Sequence, residues 1–87
     1  MNRSFCLVYT YPAWTEAGQK PGFLFSDNLS LLQEMACTRL TDSQKTESVI
    51  FDMSDGKILA MYDGGQRIDC VGSYVTNELY FRAVLTD

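Results

Sequence analysis

Three cysteines, eleven acids and no histidine set the chemistry open to this 87-residue chain. Cys6, Cys37 and Cys70 lie far apart, without the close pairing of a zinc site and with no imidazole to complete one. A cysteine nucleophile needs a neighbouring base, and Lys20, Lys45 and Lys57 are the only lysines that could serve. The cysteines therefore read as small apolar residues. DMSDG (52–56) holds two carboxylates and a glycine, but a calcium loop needs ligands at alternate positions and an acidic closer, and that spacing is missing. No metal or other cofactor is expected, and no catalytic residue stands in a recognisable motif, so an enzyme is not the reading.

Two groups of residues are candidates for binding. Asp52, Asp55, Asp63 and Asp69 fall at or near turns of the second half, where 48–87 carries six acids against Lys57, Arg67 and Arg82. Together they would present an acidic patch to a basic protein. The second group is Trp14 with Tyr11, in the segment 11–21 that also holds Pro12 and Pro21. Trp and Tyr dominate many interfaces, although a small domain often folds its one Trp back onto its own core.

The elements that position these residues follow from periodicity. Residues 3–11 alternate with apolar side chains on both faces, which suits a central or covered first strand, and Pro12 ends it. The segment 12–22 is a long loop, and 23–25 is an edge strand or a plug for the core. Ser26, Asp27 and Asn28 offer consecutive helix caps before Leu29, Leu32, Ala36 and Leu40, predicting a helix over 28–41.

From 48 onward the chain reads as a meander of four strands. Asp55-Gly56 predicts a two-residue hairpin loop that pairs Met53 with Ile58, Phe51 with Ala60 and Val49 with Tyr62 on one apolar face. Keeping that face apolar across the next turn requires an odd loop over 63–67, because a two-residue loop would set Tyr62 against Arg67. Asn77-Glu78 is read as a third turn that pairs Tyr74 with Phe81, and Gly72 as a bulge or bend within a strand.

The expected fold is α+β: one domain over 1–87, one mainly antiparallel sheet of about five strands, in the order strand, long loop, helix, four-strand meander. A single helix covers one face. Ile50, Leu59, Met61, Val71, Val75, Tyr80 and Val84 then point to the other face, so the aromatic loop or a second copy of the chain should cover it.

The net charge of −4 disfavours direct nucleic-acid binding. No apolar run near Met1 is long enough for a signal peptide or a membrane span, and the odd cysteine count fits a reducing cytoplasm. The functional expectation is a small acidic protein–protein interaction module. It would block a basic nucleic-acid-handling host complex, as phage and mobile-element inhibitors of the anti-CRISPR or other anti-defence kind do. The alternative is a small-molecule-binding protein or minor enzyme with a pocket between the aromatic loop and the sheet.

Overall fold

A computed structural model describes residues 4–10, 22–39, 47–63, 66–68 and 72–86. Phe5–Thr10 (β1), Gly22–Ser26 (β2), Glu47–Asp52 (β3), Ile58–Asp63 (β4) and Gln66–Ile68 (β5) form one antiparallel sheet in the order β2-β1-β3-β4-β5. The fold is α+β with five strands, as expected. β1 is central and antiparallel to both neighbours, so β2 and β3 run parallel on either side of it, and the helical segment between them crosses over β1. At the edge, the Tyr9 ring lies across Gly22, where a Cβ would fall 2.2 Å from the ring. Only glycine admits that close approach.

The first helix forms where the caps predict it. Asn28 is the N-cap, its side chain accepting from the Leu31 amide at 3.2 Å, and the α-helix Leu29–Glu34 (α1) continues as a π-helical turn, Met35–Arg39. Leu32 and Ala36 are buried against Leu7, Ile50, Ala60 and Tyr62, while Leu31 faces outward. Full burial of each Leu or Ile in this layer contributes roughly 1.5–3 kcal/mol.

The second half departs from a four-strand meander. After β5 the chain returns to the free edge of β4, where Ser73 accepts from the Ile58 amide and Gly56 accepts from that of Val75, and then enters a helix, Asn77–Thr86 (α2). Asn77-Glu78 is thus no hairpin turn. The Thr76 hydroxyl accepts from the Leu79 amide, capping the helix start, and Glu78 in the first turn complements the helix dipole. The run from Leu79 to Leu85 is apolar enough to satisfy strand or helix periodicity. The cap and the length of the run decide for helix.

α2 covers the Phe51 face of the sheet, and Ile50, which the single-helix reading set on the uncovered face, packs instead under α1. Ala83, Leu79 and Tyr80 join Val75 in packing on Cys6, Val8, Phe51, Val49 and Ile58, and the Tyr80 hydroxyl donates to the Met53 carbonyl at 2.6 Å. Each face therefore carries a helix, and neither the aromatic segment nor a second copy is needed to cover Phe51 or Val8. Among the described residues, no helix is long and apolar enough to cross a membrane.

Registers differ from the expectation as well. Asp52 accepts from the Gly56 amide and donates its own amide to the Lys57 carbonyl, so the first hairpin closes on four residues, 53–56, with Gly56 at φ 80°. Phe51 pairs with Ile58 but Ile50 with Ala60, leaving Leu59 as an extra residue in β4. That bulge sends Ile58 to the α2 face and Ala60 and Tyr62 to the α1 face. Tyr62 then pairs directly with Arg67 and Asp63 with Gln66, so two residues separate the paired ends and the odd loop is overturned. Gly72, at φ 78°, marks a bend outside any strand.

The two glycines give a paired test. Gly56→Ala meets both a positive φ and the Tyr80 and Val75 side chains 3.3 and 3.4 Å away, whereas Gly72→Ala meets open space. Denaturant unfolding should show Gly72→Ala costing about 1–2 kcal/mol from backbone strain alone, and Gly56→Ala costing more. Leu32→Ala and Phe51→Ala, in the two separate cores, should cost about 2–5 and 3–5 kcal/mol. A melt unchanged by either substitution would mean that its face is not packed.

Candidate functional site

The structure divides the predicted acidic patch. Asp52 and Asp55 stand at the β3–β4 turn, whereas Asp63 ends β4, a strand length of roughly 17–20 Å away. Asp69, Trp14 and Tyr11 lie outside the described residues, as does Cys70.

At the turn, the carboxylates serve the backbone. Asp52 Oδ1 accepts from the Ser54 amide at 2.8 Å and from the Ser54 hydroxyl at 2.7 Å, and Asp55 Oδ1 accepts from the Lys57 amide at 2.9 Å. These local bonds replace backbone partners in the tight loop. The hydroxyl, and then the amide, of Ser54 hold the Asp52 carboxyl below its usual value. Nearby, Asp27 Oδ1 accepts from the Ser4 amide at 2.9 Å and from its hydroxyl at 3.3 Å, tying the start of β1 to the end of β2. This end of the sheet is acidic, but its carboxylates are engaged in holding turns.

The opposite end differs. Glu47 and Asp63 are direct cross-strand partners, both exposed, in a row that runs Thr10, Glu47, Asp63, Gln66. Like charges placed opposite one another on a sheet destabilise it. Among the described residues the one ion pair is Arg82 with Glu78, at 3.7 Å on α2, so no described base neutralises the two carboxylates. Thr10, the last described residue of β1, pairs with Glu47 at this end of the sheet.

Sequence reasoning missed Glu47 because it placed Val49 opposite Tyr62, one residue out of the true register. The four-residue turn over 53–56 and the bulge at Leu59 together set the true register, and nothing in the composition of β4 marks the bulge. No group of three Cys, Asp or Glu among the described residues could hold a metal ion. Cys37 is exposed on the π-helical turn, and Cys6 is buried in β1. No protein-family model matches the chain, and no curated protein or solved structure matches it either.

The Asp52 turn carries a pH prediction. A carboxyl whose folded pKa is depressed contributes stability that is present above its unfolded value of about 4 and is lost as the pH falls through the lower folded value. Asp52→Asn keeps the acceptor oxygen and removes the titration. Its stability should therefore fall less steeply than the parent's below about pH 4, as read by denaturant unfolding at several pH values. Parallel acid limbs would show that the Ser54 bonds do not couple the carboxylate to folding.

Proposed function

We propose that the protein is a small acidic interaction module that acts in the cytoplasm by occupying a basic surface of a protein partner. The observation that carries this reading is the opposed pair Glu47–Asp63, which no base among the described residues neutralises. Retaining two like charges face to face costs stability, and a cationic partner turns that cost into binding energy and into steering of the encounter. Asp52 and Asp55 add to the field, but their turn bonds make them scaffold first. Because the net charge of −4 repels phosphate, the fitting partner is a basic protein rather than nucleic acid itself.

A protein that handles nucleic acid has such a basic surface, and blocking it is the inhibitory, anti-defence role that we assign. The exposed Cys37 thiol suits a reducing compartment.

The test begins with affinity capture from the source cell's lysate, with and without nuclease, followed by binding kinetics with the captured protein. Glu47→Lys with Asp63→Lys should lower the association rate roughly tenfold and flatten its salt dependence. Glu47→Lys alone should stabilise the fold by about 0.2–1 kcal/mol by relieving the like-charge pair. Trp14→Ala is the control for the aromatic segment. Parent-like kinetics in the double variant, together with loss of binding in a folded Trp14→Ala, would transfer the site from the acids to the aromatics.

A further inference from the structure

α2 is apolar on both sides. Leu79, Tyr80 and Ala83 face the sheet, and at about 100° per residue Phe81 and Leu85 fall on the opposite side, where they are 63% and 86% exposed. Val84, 45% exposed, flanks them on one side, and the Glu78–Arg82 ion pair flanks them on the other. The sheet therefore covers only one of the two apolar sides of α2.

We propose that this outer face is a homodimer interface, with α2 packed antiparallel on α2 of a second copy about a two-fold axis near Phe81. Charge argues for a copy rather than for a basic partner. Away from α2, Asp27, Glu47, Asp52, Asp55 and Asp63 outnumber Lys57 and Arg67 among the described side chains, so the described surface there repels a copy. On α2, Glu78 and Arg82 cancel. A purely basic partner gains nothing on a face of zero net charge.

The pair is also self-complementary. A two-fold axis perpendicular to both helices keeps the Glu78–Arg82 flanks on the same side, so the Glu78 of each copy meets the Arg82 of the other and the ion pair re-forms twice between chains. A parallel arrangement would place those flanks on opposite sides. With these flanks, Phe81, Val84 and Leu85 expose on the order of 600 Å² per copy, and burying most of it in both copies comes to about the 1,000 Å² that a specific interface needs.

Sedimentation velocity across the micromolar range tests the proposal. The parent should pass from monomer to dimer, Phe81→Asp should remain monomeric, and Glu78→Arg and Arg82→Glu should each weaken the dimer about tenfold. Mixing the two charge variants should restore association, because one copy then presents two bases and the other two acids. Both substitutions are at exposed positions and leave the fold intact, so the mixture decides even if Phe81→Asp fails to fold. A parent that stays monomeric assigns the face to some other chain and overturns the proposal. A dimer that survives Phe81→Asp, or a mixture that does not associate, overturns it as well.

Discussion

The burial of β1 on both faces constrains everything else in the molecule. Cys6 and Leu7 are fully buried and Val8 is nearly so, and alternation sends Leu7 to one side and Cys6 and Val8 to the other. Such a strand is stable only at the centre of a sheet with a cover on each face. β2 and β3 flank it on either side, α1 with its π-helical turn covers Leu7, and α2 covers Cys6 and Val8. Without α2, Phe51 and the side chains around it would stand in water, in a chain short enough that its stability margin is thin.

The bulge at Leu59 follows from the same demand. Ile58, Ala60 and Tyr62 would share one face in an unbroken strand, yet Ile58 is needed beside Phe51 under α2, while Ala60 and Tyr62 are needed beside Ile50 under α1. One extra residue in β4 satisfies both cores. A local irregularity is therefore a requirement of two-sided packing, and it carries through to the β4–β5 pairing, where Met61 meets Ile68 and Tyr62 meets Arg67.

This shows why some of the fold was legible in the sequence and some was not. The two-sided burial of β1, an edge strand or plug at 23–25 and a helix cap among Ser26, Asp27 and Asn28 were written in local patterns, and local physics decides them. α2 was obscured because Leu79 to Leu85 fits either period, and reading Asn77-Glu78 as a hairpin turn passed over the deciding signal, Thr76 three residues before Leu79. The register of β3 on β4 was out of reach, since it depends on which of two helices each side chain must meet. Glu47 went unseen with it. The separation of Asp52 from Asp63 needed only strand length, but the use of Asp52 and Asp55 as turn acceptors required coordinates.

The acids thus have two physical roles that composition cannot separate. A carboxylate that accepts from its own loop amides, as Asp52 and Asp55 do, stabilises the fold while it is charged, and its conservation of shape explains its presence without any partner. Glu47 opposite Asp63 does the reverse, since each raises the energy of the other and no described base offsets it. α2 presents the apolar counterpart of that conflict. Ala83 and Tyr80 account for its inner side, while Phe81 and Leu85 add nothing to the sheet they turn away from. In both places the isolated chain bears a cost that folding does not recover. The two costs differ in kind, since one is of like charge and would yield only to positive charge, while the other is of exposed apolar surface and would yield only to apolar contact.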